Sequence, residues 1–271
     1  MTSETSAVGR GFVTGDIERA LHIRAVSLSH EHAQLEMASG SWLTDPVVGV
    51  CRAALGVVLD DVTGYIVVSG VSAESWPVSL GIRMDFLRDP PVDGTPITVT
   101  GDIVARDGTS GTTQGSARDS LGSLLALVTQ RSHVVGRRSA ARDSPLRSDL
   151  FEGDPSLRSR LEITTPSPDR LVMGQTLYAA NVMGIVHGGV LVCGSEFAAM
   201  NVLGARGELR TTSVDIAYVR PADALRATTF RSEVVHRGRS QAIVRVVSEN
   251  AVGKPCSIAT VTVQPARRNE Q

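Results

Sequence analysis

Apolar and polar positions divide the chain into two long apolar runs, each followed by several short segments in which apolar and polar residues alternate. The runs at residues 47–62 and 190–203 are long enough to predict helices. The alternating segments end at Gly, Pro or Asp, which predicts short antiparallel strands joined by turns. The pattern therefore predicts a helix followed by a meander of strands, twice in one chain.

Local signals set the expected limits of these elements. Thr44, Asp45 and Pro46 are typical of a helix cap and first turn, so the first helix is predicted to begin there and to end near Gly64. Strand-like alternation within residues 16–37 precedes it. The strands predicted after the helices are 78–87, 97–105, 112–120 and 124–134 in the first half, and 212–219, 226–235, 241–249 and 256–263 in the second.

The two halves align as an internal repeat. DFLRDPPV in the first half matches AYVRPADA in the second, which places Arg88 opposite Arg220. A segment rich in Arg, Ser, Asp and Pro separates the halves and is predicted to be a linker. The fold class is α+β, with two helix-and-sheet units joined as a pseudo-dimer. The predicted divisions are a flexible tail at 1–14, a first repeat at 15–136, a linker at 137–160, a second repeat at 161–265 and a tail at 266–271.

Composition and charge narrow the function. The net charge of -1 and the pI near 6.6 give no general attraction to nucleic acid or to an anionic membrane, so neither is expected as a partner. Cys51, Cys193 and Cys256 form no CxxC pair, which argues against disulfides and a structural zinc site. The N-terminus lacks the pattern of a signal peptide, and a cytoplasmic location is expected.

The stretch 181–196 carries the candidate chemistry. His187, Gly188 and Gly189 stand at the start of the second predicted helix, where unpaired N–H groups and a partial positive charge favour a developing oxyanion. Glycines allow a ligand oxygen to approach this backbone closely. Asn181 precedes the helix, and Glu196 lies on it among apolar residues. An oxyanion donor and a carboxylate are the groups that acyl transfer requires.

The same stretch carries the pattern N-x-x-G-x-x-HGG-x6-D/E, formed by Asn181, Gly184, His187, Gly188, Gly189 and Glu196. This pattern resembles that of the hotdog-fold thioesterases, in particular the phenylacetate-pathway (PaaI-like) group. The resemblance implies a double hotdog fold and hydrolysis of an acyl-coenzyme A thioester. It also implies that no metal or organic cofactor is needed, coenzyme A being part of the substrate, and that the pseudo-dimers assemble into homo-oligomers.

Hotdog sites lie between two units, so the resemblance implies that each half supplies part of the other's site. Aligning the first helix on the second places Asp60 opposite Glu196, and Cys51 opposite His187. Arg52 and Ala53 then replace the two glycines. The first half has therefore lost the HGG motif and kept an acid.

We therefore expect one complete site, in which Asn181 orients water, Gly188 N–H binds the oxyanion, and Asp60 acts as base or nucleophile beside His187. The second site, with Glu196 facing the Arg52 helix start, is expected to be inactive. Asp61 in place of Asp60, and Glu196 as the working acid, remain open alternatives.

The resemblance also indicates residues outside this stretch. Thr211 stands where the family often has a Ser or Thr near the thioester, with residues 212 and 213 as alternatives. Arg220, Arg237 and Arg239 lie at strand ends and turns, where they are expected to contact the phosphates of coenzyme A.

Two other functions fit the sequence less well. A hotdog hydratase carries an Asp five residues before its His, where this chain has Val182. A non-catalytic acyl-CoA binding or assembly module would explain the altered first half. Binding of acyl-CoA without release of thiol would distinguish this module from an enzyme.

Overall fold

Residues 11–72, 75–136 and 155–266 are described by a computed structural model. Within them, twelve strands form one antiparallel sheet in the order β1-β2-β6-β7-β8-β5-β11-β14-β13-β12-β10-β9. The strands are β1 Arg24–Leu28, β2 His32–Met37, β5 Ser75–Phe86, β6 Ile97–Arg106, β7 Ser110–Arg118, β8 Leu124–Gly136, β9 Ile163–Ser167, β10 Arg170–Met173, β11 Leu209–Tyr218, β12 Thr228–Arg237, β13 Ala242–Glu249 and β14 Pro255–Pro265, with a separate hairpin of β3 Thr44–Asp45 and β4 Gly49–Val50. The predicted strands of both meanders are confirmed.

Two long helices, one from each half, lie against this sheet. The helices are α1 Asp16–Ala20, α2 Leu55–Ser69, α3 Leu157–Arg160 and α4 Gly188–Leu203, and short 3-10 turns occupy Ser41–Leu43, Arg52–Ala54 and Leu177–Ala179. Nearly every residue of α2 and α4 is buried, which explains why their sequences are apolar almost without interruption. Each long helix contacts the strands of its own half and the other long helix.

The two long helices approach each other closely near their first turns. A Cβ atom on Gly189 would overlap the carbonyl oxygen of Gly56, so only a glycine permits this approach. The start of α4 is thereby held against the first turns of α2, and a carboxylate on one helix can reach the N-terminus of the other.

The two halves meet at the centre of the sheet, where β5 pairs with β11. Ile82 is opposite Ile216, and Met84 is opposite Val214. In the alignment of the two repeats that places Arg88 opposite Arg220, Ile82 corresponds to Val214, and Met84 corresponds to Ile216. A local twofold axis between the repeats therefore converts the Ile82–Ile216 pair into the Met84–Val214 pair. The double-hotdog prediction is confirmed.

The predicted start and end of the first helix are wrong. Thr44–Asp45 forms β3, and Asp45 Oδ1 accepts hydrogen bonds from the N–H groups of Val47 and Val48 at 2.8 and 2.9 Å. Asp45 thus closes a turn instead of capping a helix, a choice open to Asp because its side chain bonds nearby N–H groups in both settings. The helix begins later, at Leu55, and continues past Gly64.

Several predicted divisions fall partly outside the described ranges. Residues 1–10 and 267–271, and positions 137–154 of the predicted linker, lie outside them. The described end of the linker carries α3, whose Leu157 is buried. At the N-terminus, Val13 N–H donates a hydrogen bond of 2.5 Å to Tyr65 Oη. None of the helices in the described ranges has the length and apolar character needed to span a bilayer.

Candidate active site

A cavity of about 300 Å³ lies at the junction of the two halves. Its walls come from α2, β5, the segment that leads into α4, and the end of β11. Polar groups gather on one wall, while the remaining lining is mainly apolar. The residues on the polar wall are Glu18, Asp60, Asp61, Ser79, His187 and Gly188, and the apolar lining includes Tyr65, Val68, Trp76, Met183, Ile185 and Leu191.

Asp60 stands on α2 and connects the two halves. Its Oδ2 accepts a hydrogen bond from Gly189 N–H at 3.1 Å, and its Oδ1 accepts one from Ser79 Oγ–H at 3.1 Å. Burial raises the pKa of Asp60, and the nearby His187 opposes that rise. The carboxylate of the first half therefore lies at the helix start of the second half, within the cavity wall.

A chain of hydrogen bonds extends from Asp60 into the sheet. Gln130 Nε2 donates to Ser79 Oγ at 2.8 Å, and Thr63 Oγ1 donates to Gln130 Oε1. The fixed amide of Gln130 leaves Ser79 free to donate to Asp60, because the hydroxyl of Ser79 already accepts from the amide. Ser79 and Gln130 were not predicted. The sequence offers one signal for Ser79: in the alignment that places Arg88 opposite Arg220, Ser79 lies opposite Thr211.

His187 caps α4 and is surrounded by carboxyl groups. Its Nε2 lies 3.1 Å from Asp61 Oδ1 and 3.6 Å from Glu18 Oε1, and its Nδ1 lies 3.4 Å from Asp60 Oδ2. Burial disfavours the imidazolium, but Asp61, Asp60 and Glu18 outweigh this effect and raise the pKa of His187 to about 10. The surrounding carboxyl groups therefore favour the imidazolium, with Nε2–H directed at Asp61.

The hydrogen bond of the helix cap depends on the protonation state of His187. Gly189 N lies 3.0 Å from His187 Nδ1, a contact that is a hydrogen bond only when the imidazole is neutral. When Nδ1 carries a proton, Gly189 N–H donates to Asp60 Oδ2 alone. Asp60 is then the acceptor for the second N–H of the helix.

Gly188 supplies the N–H that remains available. Within the described residues, its N–H has no hydrogen-bond partner, while its carbonyl accepts from Tyr218 Oη–H at 2.9 Å. Burial raises the pKa of Tyr218 well above its usual range, so the phenol stays a donor. A Cβ atom on Gly188 would lie 2.5 Å from Asp60 Oδ2, so a larger residue here would displace this carboxylate.

Asn181 lines the cavity but shapes the backbone as well. Its Oδ1 accepts hydrogen bonds from Met183 N–H at 2.9 Å and Ile185 N–H at 3.3 Å. The side chain thus fixes the turn in which Gly184 adopts a φ of 75°. The side-chain oxygen of Asn181 is occupied by these two hydrogen bonds.

Glu196 lies in the equivalent position of the other half, away from this cavity. Its Oε2 accepts from Ala53 N–H and Cys51 Sγ–H, both at 3.0 Å. In the alignment that places Asp60 opposite Glu196, Ala53 corresponds to Gly189, and Cys51 corresponds to His187. Burial raises the pKa of Glu196, and these contacts oppose the rise. The structure thus places each acid at the helix start of the other half.

The surroundings of Glu196 are filled by ionic side chains. Arg52 Nε bonds Asp89 Oδ1 at 2.6 Å, Arg52 Nη1 donates to the carbonyl of Thr211 at 3.1 Å, and Arg210 also pairs with Asp89. Glu196 is 0% exposed. Thr211, predicted for the HGG site, lies instead on this side, where its hydroxyl helps to lower the pKa of Glu196.

The three predicted arginines differ in their position relative to the cavity. Arg220 lines the cavity and is exposed to solvent at its edge. Arg237 ends β12 and Arg239 lies in the following turn, and both are exposed without lining the cavity. Of the three, only Arg220 stands beside the acidic wall.

Three groups near the cavity have the composition of a metal site. One ligand atom from each of Glu18, Asp61 and His187 lies within 4.8 Å of the others. One His and two carboxylates are ligands that several divalent metals accept. The same atoms are also placed for an ion pair, and Glu18 was not predicted because it comes from a short helix without a motif.

Structural comparison identifies the class of fold. The chain has the hotdog fold, in two repeats that form one continuous sheet. It aligns with acyl-CoA thioesterase II (TesB2) of Mycobacterium marinum with a TM-score of 0.62 and 12% identity, covering 94% of this chain and 100% of the other. A tesB protein of Mycobacterium avium subs paratuberculosis gives a TM-score of 0.62 and 14% identity over 93% and 98%.

A third solved structure, an acyl-ACP thioesterase of Bacteroides thetaiotaomicron, gives a TM-score of 0.57 and 12% identity over 86% of this chain and 98% of that one. No protein-family model matches the sequence of this chain, and no curated protein sequence matches it. At these identities the likeness establishes the fold and not the chemistry of the site.

Proposed function

We propose that this protein hydrolyses acyl thioesters, with acyl-coenzyme A as the substrate class, in the cavity beside Asp60 and Gly188. One observation carries the proposal: a buried carboxylate from one half lies at the helix start of the other half, next to an N–H group that has no partner among the described residues. An oxyanion donor and a base are thereby within one site. Two of the three aligned structures are named as thioesterases, one for acyl-CoA and one for acyl-ACP, which agrees with this chemistry.

In the first step, the thioester carbonyl oxygen accepts a hydrogen bond from Gly188 N–H, which the partial positive charge at the start of α4 strengthens. A water molecule donates one proton to Asp60 while its oxygen attacks the carbonyl carbon. Ser79 and Gln130 orient Asp60, because they form a chain of hydrogen bonds that ends at the carboxylate. The oxyanion of the resulting tetrahedral intermediate stays at Gly188.

In the second step, the intermediate collapses and the bond from carbon to sulfur breaks. The proton held by Asp60 passes to the departing sulfur, so that free acid and free thiol leave the site and the carboxylate is restored. Direct attack by Asp60, with a mixed anhydride that water then hydrolyses, uses the same residues. His187 favours the ionised form of Asp60 in either route, since its imidazolium lies 3.4 Å away.

Arg220 is the residue we assign to the phosphates of the substrate, because it is exposed at the edge of the same cavity. Arg237 and Arg239 lie outside the lining, and a role for them requires the nucleotide to extend along β12. The Glu196 side is proposed to be inactive, since Glu196 is fully buried and Arg52, bound to Asp89 and to the carbonyl of Thr211, stands in the position of Gly188.

The test is thiol release, measured by a thiol-trapping reagent, over acyl-CoA substrates of increasing chain length and with aromatic acyl groups. A second set of substrates carries the acyl group on an acyl carrier protein. Faster thiol release from these substrates would make acyl carrier protein thioesters the substrate class in place of acyl-CoA, and the proposed hydrolysis would stand. A melting temperature that rises with acyl-CoA, without any thiol release from either carrier, would establish a binding module instead.

A further inference from the structure

Glu18, Asp61 and His187 come from α1, α2 and the start of α4, and they meet beside the cavity. His187 Nε2 lies 3.1 Å from Asp61 Oδ1 and 3.6 Å from Glu18 Oε1. Ligand atoms about 2.1 Å from a tetrahedral or octahedral metal lie about 3.0 to 3.5 Å from their neighbours. The two distances from Nε2 are close to this spacing, and the proposed hydrolysis gives Glu18 and Asp61 no part.

The contact with His187 leaves half of the Asp61 carboxylate without a partner. Asp61 Oδ2 has no hydrogen-bond partner among the described residues, and the side chain is only 7% exposed. A buried carboxylate oxygen without a partner lowers the stability of the fold, because it has lost its contacts with water. An ion pair with His187 alone therefore does not explain the cluster, whereas a cation beside the carboxylate would supply the missing partner.

The charges around His187 also favour a cation with more than one positive charge. Glu18, Asp60 and Asp61 each place a carboxylate oxygen within 3.6 Å of an imidazole nitrogen, and His187 is the single base paired with them among the described residues. With all three acids ionised, an imidazolium leaves two excess negative charges. A divalent ion bound to the neutral imidazole leaves one, which makes burial of the cluster less costly.

The cluster has an entry path and an outer partner, as a metal site requires. Glu18, Asp61 and His187 all line the cavity, so an ion can enter and water can complete its coordination. When Nε2 binds a metal, the imidazole proton lies on Nδ1, which is 3.4 Å from Asp60 Oδ2. A carboxylate that accepts from the second nitrogen of a metal-bound histidine fixes the orientation of the ring.

We propose that Glu18 Oε1, Asp61 Oδ1 and His187 Nε2 bind a divalent transition-metal ion, with Zn²⁺ bound more tightly than Mn²⁺ or Mg²⁺. Imidazole suits Zn²⁺, and affinity for such a site rises from Mn²⁺ to Zn²⁺, whereas Mg²⁺ prefers oxygen ligands and keeps its waters. The ion ties α1 to both long helices. The site goes beyond the proposed hydrolysis, in which His187 Nδ1 still faces Asp60. In the metal-free protein, protons replace the ion.

The principal test is equilibrium dialysis of the untagged, full-length protein against Zn²⁺ after treatment with EDTA, with bound metal measured by mass spectrometry. We expect about one equivalent of Zn²⁺ per chain, with a Kd below about 10 μM. At about a hundredfold excess of free Zn²⁺ over Kd, the melting temperature should rise by about 5 °C or more. Less than about half an equivalent of Zn²⁺ under these conditions overturns the proposal.

Single variants locate the bound ion. Glu18→Gln and Asp61→Asn each remove one ligand, and each should weaken Zn²⁺ binding by at least the loss that an outer partner causes, about tenfold to a hundredfold. His32→Gln is the matched control, because it removes the exposed pair of His32 Nδ1 and Asp102 Oδ1, which are 2.8 Å apart. This control should bind Zn²⁺ like the wild type. Unchanged affinity in both ligand variants, or loss of the ion in His32→Gln, overturns the proposal.

A measurement on the wild type decides the matter even if the ligand variants do not fold. In the ¹⁵N NMR spectrum, Zn²⁺ should shift the signal of His187 Nε2 and leave a proton on Nδ1, while the signals of His32 stay unchanged. An unchanged His187 signal overturns the proposal. None of these measurements depends on turnover. A protein that binds Zn²⁺ at His187 and releases no thiol would keep the metal site and lose the proposed hydrolysis.

Discussion

The carboxylate of Asp60 accepts a hydrogen bond from Gly189 N–H across the boundary between the two repeats. If Asp60 is the base of the reaction, Asp60→Asn should lower kcat by about a hundredfold to ten-thousandfold, because an amide accepts no proton from water. The amide oxygen can still accept from Gly189, so the melting temperature should change little. Thiol release and thermal unfolding measure the two effects.

Glu196→Gln is the matched control for that prediction. Its amide oxygen can keep the hydrogen bonds from Ala53 and Cys51, and the variant should retain wild-type activity. Activity lost in Glu196→Gln and kept in Asp60→Asn would make Glu196 the working acid. A loss in Asp61→Asn alone would assign the role to Asp61.

Ser79 and Thr211 form a second matched pair, since each is a hydroxyl of the central strands. Ser79→Ala removes the donor to Asp60 and should lower kcat by about tenfold or more. Thr211→Ala lies on the Glu196 side and should leave kcat unchanged. Equal losses in both variants would indicate two active sites per chain, as would a burst of two thiols per chain.

The two glycines at the start of α4 should fail in different ways. In Gly188→Ala the new methyl group meets Asp60 Oδ2 at 2.5 Å, so the protein should fold but lose most activity. In Gly189→Ala the methyl group overlaps the backbone of Gly56, which must separate the two helices and lower stability by about 1–3 kcal/mol. Circular dichroism and kinetics distinguish the outcomes. A fully stable Gly189→Ala protein would contradict the close approach of the helices.

Stability should fall as the pH becomes alkaline, for two reasons of the same sign. Folding raises the pKa of His187 from 6.5 to about 10, so its contribution is complete below pH 6.5 and is lost through pH 10. The pKa of Glu18 rises from 4.5 to about 8, so the folded protein keeps a proton that the unfolded chain releases, and stability falls between these values.

Urea unfolding at about pH 5, 7, 8.5 and 10 measures this dependence. The wild type should lose stability throughout, and Glu18→Gln should lose less on the way to about pH 8.5 because it has no proton to release. The part due to His187 should remain in that variant at higher pH. Parallel curves for the two proteins would show that Glu18 is ionised in the folded state.

The fold was largely predictable because the long helices and central strands have strong patterns of their own. The helix from His187 carries both its cap and its apolar run in one stretch, and it lies where the sequence predicts it. The first helix was misplaced because Asp45 can close a turn as well as cap a helix, and pairing of β3 with β4 decided between them. Local signals cannot make this choice, since the pairing is tertiary.

The sequence indicates parts of the candidate site through a contiguous motif and through the internal repeat. Asp60 could be inferred because the repeat aligns it with Glu196. Gln130 could not, since an amide facing inward from a strand looks like any other strand residue until the sheet places it beside Ser79. Glu18 depends on α1 packing near the 3-10 turn at Leu177–Ala179, a contact between distant segments that no local pattern encodes.

The pairing of β5 with β11 joins two hotdog units that belong to a single polypeptide. In an assembly of identical subunits, any substitution at a helix start is imposed on both sites together. Here the imidazole of His187 and the thiol of Cys51 occupy matching places, and each can be exchanged without altering the other. Covalent fusion thus gives the chain an asymmetry that a symmetric dimer cannot have, with His187 beside Asp61 at one helix start and Cys51 beside the buried Glu196 at the other.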